Sequence, residues 1–279
     1  LEKELFECIV RYIGAIKISL IIKYDLDRKL SVSSNLLKLR SPDFGLWMQF
    51  AICDIEPLIH DKSCSKLVKS LHKMNSKWLH ASAHKNLRKD MLDLSRGLMS
   101  NYETPKNAVE LIELLQSFIT QSNEHEIYKS NLLVEKACKF LEVGLTILIE
   151  EIRDILDYKL CSLQSFVSMG GSIDYFFRAH YGGSVLPFLF QSASKIKIGS
   201  VFLMEQKNGS VQNSFEPILC LSPIIIAPTV QSYDEVQTKL VFFEKFHGTL
   251  IEYVNLPQGN IKQDKRFVED FLFLHNHTG

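Results

Sequence analysis

Hydrophobic residues recur at helical spacing along most of the first 165 residues of the chain. In residues 1–24 apolar side chains return every three or four positions and charged side chains fall between them, a pattern that predicts an amphipathic helix. Ser-Pro-Asp at residues 41–43 and Thr-Pro at residues 104–105 predict two further helix starts, because proline is favoured in the first helical turn. Residues 132–163 predict a long amphipathic helix. Its outward face is predicted to carry five acidic residues, Glu142, Glu150, Glu151, Asp154 and Asp157.

The pattern changes after about Ser168, where glycine and proline separate short runs of β-branched and aromatic residues. Asn208-Gly209 predicts a two-residue hairpin turn between two of these runs. The predicted strands cover residues 198–206, 218–221, 224–227, 238–246 and 249–255. Helices followed by strands predict an α+β fold, with an N-terminal helical bundle followed by a smaller, mostly antiparallel β module. We therefore predict a helical domain at residues 1–167 and a β-rich domain at residues 168–279.

Charge is balanced over the whole chain, with 32 basic and 32 acidic residues, so the net charge favours neither a nucleic-acid nor a membrane partner. Residues 61–90 are locally basic, with eight lysines and arginines against Asp61 and Asp90. On an unbroken helix, seven basic side chains would fall within a sector of about 80°: Lys62, Lys66, Lys69, Lys73, Lys77, His80 and His84. Asn75-Ser76 leaves the alternative of two shorter helices, and a solvated lysine face is the alternative to a binding surface. The residues predicted to contact nucleic-acid phosphates are Lys62, Lys66, Lys69, Lys73, Lys77, His80, His84, Lys85, Arg88 and Lys89.

Common catalytic motifs are missing: the sequence has no glycine-rich nucleotide loop, no nucleophile elbow, no zinc-protease motif and no CxxC pair. Arg178 and His180, shortly before Gly182-Gly183, are the candidates for phosphate binding and acid–base chemistry on RNA. A glycine turn beside a structural arginine is the alternative. His80 and His84 have the spacing of two metal ligands on a helix, but two histidines on a basic face fit it equally. We predict no metal site and no cofactor.

Cysteine usage and hydropathy bear on the compartment. Six cysteines are scattered without a CxxC pair, which predicts free, buried thiols in a reducing environment. The most apolar N-terminal run, residues 5–22, is interrupted by Glu7, Arg11 and Lys17, so we expect no membrane span. These features together predict a cytoplasmic protein without a membrane partner.

Three segments of the helical part resemble the HEPN superfamily, a helical module of bacterial multidomain signalling and defence proteins. They are LFECIVRYIGAIKISLIIKY, SPDFGLWMQF and LSRGLMSNYETP, the last followed by two long helices, and the resemblance covers about residues 4–165. Active ribonucleases of this family use an arginine followed four to six residues later by a histidine. Two such motifs meet at a dimer interface and cut RNA without a metal. In this chain Arg96 falls at the arginine position, Gly97 replaces the asparagine that follows it, and Met99, Ser100 or Asn101 stands where the histidine is expected.

No arginine of the chain has a histidine four to six residues after it, so the resemblance implies a degenerate copy without the acid–base group. Degenerate members of the family bind RNA, nucleotides or protein partners. We therefore predict a non-catalytic regulatory module that acts through protein–protein contact in a bacterial defence or signalling system. The alternative is an RNA-binding protein or a metal-independent ribonuclease that uses the basic segment. By analogy with the family, we also expect a homodimer.

Overall fold

The structure of the chain is a computed structural model. It describes residues 2–24, 39–55, 65–99, 102–124, 130–169, 172–181, 184–192, 196–206, 215–228, 240–256 and 259–276. Contacts divide the chain into two compact units. Unit 1 comprises Leu1–Val10 and Ile52–Asp157, and unit 2 comprises Arg11–Ala51 and Tyr158–Gly279.

The described residues form seven helices, most of them in the first part of the chain. They are α1 (Glu2–Lys23), α2 (Phe44–Ile52), α3 (Ser65–Ser76), α4 (Lys85–Ser95), α5 (Ala108–Glu124), α6 (Asn131–Leu156) and α7 (Val268–Asn276). The strands follow α6, with α7 after the last of them. They are β1 (Lys159–Met169), β2 (Ser172–Tyr181), β3 (Ser184–Ser192), β4 (Val201–Gln206), β5 (Phe215–Cys220), β6 (Ile225–Ile226), β7 (Val241–Phe246), β8 (Ile251–Asn255) and β9 (Asn260–Asp264).

Helix α6 is the centre of unit 1, where it packs against α3, α4 and α5. The apolar side chains on its inner face, among them Phe140, Leu148 and Ile152, are fully buried. A glycine permits the close approach of the neighbouring helices. A Cβ atom at Gly144 would lie 2.6 Å from Leu115 Cδ2, on α5. Close packing around α6 therefore fixes the positions of α3 and α4, which carry the basic segment.

Two antiparallel sheets make up the β part of unit 2. The first has five strands in the order β3-β2-β1-β4-β5, and the second has four in the order β6-β7-β8-β9. Met169 pairs with Ser172 and Tyr181 pairs with Ser184, so two residues connect each of the first two hairpins. The glycine pairs at residues 170–171 and 182–183 and the predicted Asn208-Gly209 turn lie outside the described residues. Cys161, Leu163 and their β2 neighbours form a small core on one face of the five-stranded sheet.

Two buried cations hold the part of helix α1 that belongs to unit 2, from Arg11 onward. The Arg11 guanidinium lies over the Trp47 ring, 5.5 Å from its centroid, and its Nη1 is 2.7 Å from Glu244 Oε2. Lys17 is fully buried, and its Nζ donates to the Ala51 carbonyl oxygen at 2.7 Å. The carbonyl lies in the last turn of α2, where the helix dipole favours a positive charge.

Arg266 joins three chain segments of unit 2, and we call this group of contacts the Arg266 junction. Its guanidinium donates to the Ile198 carbonyl oxygen at 2.8 Å, to the Ala227 carbonyl oxygen at 3.2 Å and to Asp264. Gly199 lies directly beneath, with a φ of +85° and a backbone that leaves no room for a side chain. The junction satisfies backbone carbonyls at the entry to β4 and after β6.

The α+β fold class is confirmed: helices dominate the first part of the chain, and two antiparallel sheets follow. Helix α6 was predicted to reach Leu163, but it ends at Leu156 and β1 begins at Lys159. No glycine or proline marks the change, so the apolar spacing alone did not reveal it. The five predicted strand runs overlap β4 to β8, whereas β1, β2, β3 and β9 were missed.

The compact units differ from the predicted division into residues 1–167 and 168–279 in two places. The second segment of unit 2 begins at Tyr158, ten residues before the predicted boundary. Unit 2 also includes residues 11–51, which the prediction assigned to the helical domain. The reason is visible in Arg11 and Lys23, which bond to β7 and to the Ile218 carbonyl oxygen of β5. Among the described residues, no helix combines the length and apolarity that a membrane crossing requires.

Candidate functional site

Six exposed lysines on and between α3 and α4 form the candidate site, which we call the lysine surface: Lys66, Lys69, Lys73, Lys77, Lys85 and Lys89. Helix α3 is amphipathic, and it buries Leu67, Leu71 and Met74 against unit 1. Its three lysines therefore share the solvent side, at positions i, i+3 and i+7. Lys62, also predicted to belong to this set, lies outside the described residues.

Acidic residues are scarce within the segment that carries the lysine surface. Between residues 65 and 99 the chain carries eight lysines and arginines against Asp90 and Asp93. Asp93 pairs with Arg96 rather than with a lysine. Among the described residues, no carboxylate forms an ion pair with Lys69, Lys73 or Lys77. A local excess of positive charge therefore faces solvent although the whole chain is neutral.

Residues 77–84, which connect α3 to α4, are anchored by the fully buried carboxylate of Glu151 on α6. The backbone N–H of Leu79 donates to Glu151 Oε2 at 2.6 Å, and the N–H of His80 donates to Oε1 at 2.7 Å. His84 Nε2 lies 2.5 Å from the same Oε1, and its ring is also fully buried. Three donors on one carboxylate compensate for its removal from water. Glu151 therefore fixes the path of the chain between the two lysine-bearing helices.

His84 serves as a structural partner of Glu151. Its Nδ1 is buried without a hydrogen-bond partner among the described residues. A proton on Nδ1 would thus be a buried donor without an acceptor, whereas a proton on Nε2 is bonded to Glu151. The geometry favours a proton on Nε2, where Glu151 accepts it. The edge of this ring contacts Trp78, with the centroids 4.9 Å apart.

The structure corrects the predicted basic face in three positions. Helix α3 ends at Ser76, in line with the alternative of two shorter helices. His80 and His84 therefore do not lie on the same helix face as the lysines of α3. His84 is fully buried, and His80 is mostly buried with Nε2 3.6 Å from Asp154 Oδ1. Arg88 is partly buried, and its guanidinium lies over the Trp78 ring at 5.5 Å. His80, His84 and Arg88 therefore pack beneath the exposed lysines. The lysines provide the charge that faces solvent.

Glu151 was missed because acidic residues near the end of α6 were all predicted to face outward. The position of Glu151 in the sequence nevertheless predicts that its side chain is buried. Glu151 follows Leu148 by three residues and precedes Ile155 by four, so it belongs to the apolar stripe of α6. A carboxylate on such a stripe requires a buried partner. His84 provides that partner, 67 residues earlier in the sequence.

Arg178 and His180, the predicted catalytic candidates, lie on β2 in unit 2. Gln164 Nε2 donates to Ser162 Oγ at 2.9 Å, and Ser162 Oγ lies 2.9 Å from His180 Nε2. Burial, assisted by the positive charge of Arg178, lowers the pKa of His180 to about 4. A neutral His180 forms a hydrogen bond with the Ser162 hydroxyl, and the ring tautomer decides which of the two donates the proton.

A hydroxyl hydrogen-bonded to a neutral imidazole is also the geometry of an activated nucleophile. Here, however, Ser162 has no solvent-exposed surface. A substrate cannot reach an enclosed oxygen without rearrangement of the sheet. The group acts as a satisfied polar network within the five-stranded sheet, and it lies in a different unit from the lysine surface.

Neither a group of metal ligands nor a similarity to known proteins assigns a function to the chain. Within the described ranges, no three or more His, Cys, Asp or Glu side chains are grouped closely enough to hold a metal ion. The histidine pair at residues 275 and 277 lies outside the side chains that the structure describes. No family model, no curated protein and no solved structure matches the chain.

Proposed function

We propose that this chain is a non-catalytic regulatory module that binds the phosphate backbone of RNA through the lysine surface. The observation that carries the proposal is the set of six exposed lysines on α3, α4 and their connection, held in place by a buried carboxylate. Lysine is a flexible point charge that contacts phosphates without reading bases. A cytoplasmic location would give this surface access to RNA.

The histidines support binding rather than chemistry. Acid–base catalysis requires a side chain within hydrogen-bond reach of the substrate proton. His84 is enclosed against Glu151, and His180 bonds to the enclosed Ser162. Both histidines are bonded to side chains within the protein. This agrees with the sequence, in which no arginine is followed by a histidine four to six residues later. The HEPN-like resemblance, with its bacterial defence or signalling setting, is part of the same proposal.

The test is RNA binding and cleavage by the full chain across a salt series. Lys69→Glu/Lys73→Glu reverses two charges of the lysine surface, and Lys262→Glu/Lys265→Glu reverses two exposed lysines of unit 2 as a charge-matched control. We expect native protein and control to bind at low salt, with affinity falling steeply as salt rises. The α3 variant should bind at least about tenfold more weakly. Absence of binding at low salt, or equal loss in both variants, would refute the proposal, and RNA cleavage would refute its non-catalytic part.

A second candidate is the protein-interaction module predicted from the sequence, and exposed apolar side chains favour it. Phe176 and Leu189 are paired across β2 and β3 and are 43% and 55% exposed. Val167 of β1, 41% exposed, lies on the same face. Isolated exposed apolar residues are ordinary, but neighbours on one sheet face are typical of a contact surface.

A second copy of this chain is the first partner to test, because HEPN-like domains often form dimers. Sedimentation velocity of the native chain and of Val167→Ser/Phe176→Ser measures this directly. A dimer that dissociates in the variant would support the candidate. A native monomer at all accessible concentrations would exclude homodimerisation through this face.

A further inference from the structure

We infer that the ligand of the lysine surface is a nucleic-acid duplex, contacted on its phosphates, in preference to a single strand. The inference rests on the proposed function and narrows it to one class of ligand. Three features of residues 65–99 lead to it: the covered aromatic ring, the engagement of three of the four arginine and asparagine side chains, and the spacing of the lysines.

The segment offers no stacking platform. Single-strand binders gain much of their affinity from bases stacked on exposed aromatic side chains. Trp78 is the one Phe, Tyr or Trp between residues 65 and 99. Its ring is covered by the edge of His84 and by the guanidinium of Arg88. A single strand would therefore meet charge on this surface without an aromatic partner for its bases.

Of the four arginine and asparagine side chains in this segment, three are engaged by the protein itself, and Asn86 is exposed. Arginine and asparagine make the usual bidentate contacts with guanine and adenine. Arg88 stacks on Trp78, Arg96 pairs with Asp93, and the Asn75 amide donates to Asp54 at 3.3 Å. The lysines are left as the principal ligands, and they contact phosphate rather than sequence.

The spacing of the lysines suits a dense line of phosphates. At about 1.5 Å per residue, Lys66, Lys69 and Lys73 rise roughly 4.5 Å and 6 Å from one to the next along α3. A duplex carries one charge per about 1.7 Å of its axis, twice the density of either strand. A rigid row of charges gains more from the denser ligand, because each contact displaces more condensed counterions.

Counterion release makes the difference measurable. The slope of log K against log salt is about −0.9 per contact for a duplex and about −0.7 for a single strand. Six lysines in contact would give slopes of about −5.4 and about −4.2. If the two ligands bind equally at 1 M salt, the duplex binds about 15-fold more tightly at 0.1 M.

The experiment titrates the full chain with a duplex and a single strand of equal length and composition, as RNA and as DNA, across a salt series. We expect the duplex preference in both, and similar affinity for two unrelated duplex sequences. Lys69→Gln/Lys73→Gln should reduce the duplex slope by about 2, whereas Lys262→Gln/Lys265→Gln should leave it unchanged.

The outcomes separate this inference from the proposed function. A single strand bound as tightly as the duplex would overturn the inference and leave RNA binding standing. More than about a tenfold preference for one duplex sequence would also overturn it, because lysine–phosphate contacts carry no such information. Loss of all binding at low salt would refute both.

Discussion

Glu151 shows how a single buried charge can organise an exposed surface. Its carboxylate is removed from water, which costs several kcal/mol unless donors replace the lost hydration. Two backbone N–H groups and the His84 ring provide those donors. The residues that bind Glu151 belong to the segment between α3 and α4, so the buried contact and the exposed lysines are parts of one arrangement.

Replacement of this carboxylate should be costly. Glu151→Gln puts an amide N–H₂ beside the Leu79 or His80 backbone donor, so at least one buried donor loses its acceptor. We expect a loss of about 3 kcal/mol in the free energy of unfolding, measured by urea denaturation. The adjacent Glu150→Gln removes only an exposed pair with Arg153 and should change stability by less than about 0.5 kcal/mol. Equal effects of the two substitutions would contradict the role assigned to Glu151.

His180 predicts a pH dependence with a definite sign. Burial lowers the pKa of His180 from 6.5 to about 4, so the unfolded chain binds the proton more readily than the folded chain. The contribution of His180 is therefore fully present above pH 6.5 and falls as the pH drops towards 4. The slope reaches at most about 1.4 kcal/mol per pH unit.

The native chain and His180→Gln, compared by urea denaturation at several pH values, isolate this contribution. The difference in stability between them should be constant above pH 6.5 and should shrink or change sign below it in favour of the variant. A difference that is the same at pH 7.5 and pH 4.5 would show that the folded protein does not suppress protonation of His180.

Among the elements, the entry to β4 depends most on a single backbone conformation. Gly199 has a φ of +85°, and a Cβ atom there would lie 2.5 Å from the Ala227 carbonyl oxygen and would collide with the Arg266 guanidinium. Gly248 has nearly the same φ, +82°, but open space around it. The two positions therefore share the backbone penalty and differ in the Arg266 junction.

Alanine at each glycine separates the two effects. We expect Gly248→Ala to lower the free energy of unfolding by about 1 kcal/mol, the usual penalty for a side chain in the left-handed region. Gly199→Ala should cost at least about 2 kcal/mol more, because the junction must open. Thermal and urea denaturation of the two variants provide the comparison, and similar losses would mean that the junction yields without penalty.

The elements also show what sequence patterns can reveal. The amphipathic α3 was predictable because its apolar and charged residues alternate with helical period inside one segment. The start of β1 at Lys159 was not, because residues 156–160 contain no capping glycine or proline and the apolar spacing fits both structures. Local patterns cannot choose between helix and strand when tertiary pairing with β2 and β4 decides.

In the candidate site, too, some features could be predicted from the sequence and others could not. The exposure of the lysines followed from their charge and their place opposite Leu67 and Leu71. The burial of His84 did not, because its partner Glu151 lies 67 residues away and only the packing of α4 on α6 brings them together. Charge on a helix face is a local property, whereas a buried hydrogen bond between a carboxylate and a histidine is a tertiary one.

For the whole molecule, uneven charge matters more than net charge. The chain is neutral overall, with a pI of about 7.2, while residues 65–99 carry six more basic than acidic groups. We expect the native protein to be retained on a phosphocellulose column at pH 7.5, because a local patch is sufficient for contact with a polyanion. Lys69→Glu/Lys73→Glu should elute at clearly lower salt than Lys262→Glu/Lys265→Glu, although their net charges are equal. Co-elution of the two variants would indicate that charge position has no influence.

The division of the chain into units also has a consequence for its synthesis. Arg11 pairs with Glu244, which is translated 233 residues later. At about 5–20 residues per second, that interval is on the order of 10–50 s. The last residue of unit 1 is Asp157, so unit 1 can fold before residues 158–279, the partners of residues 11–51, have been synthesised. A ribosome paused once Asp157 has left its exit tunnel would display a finished helical unit and an uncovered apolar stretch, which is the kind of surface that holding chaperones recognise.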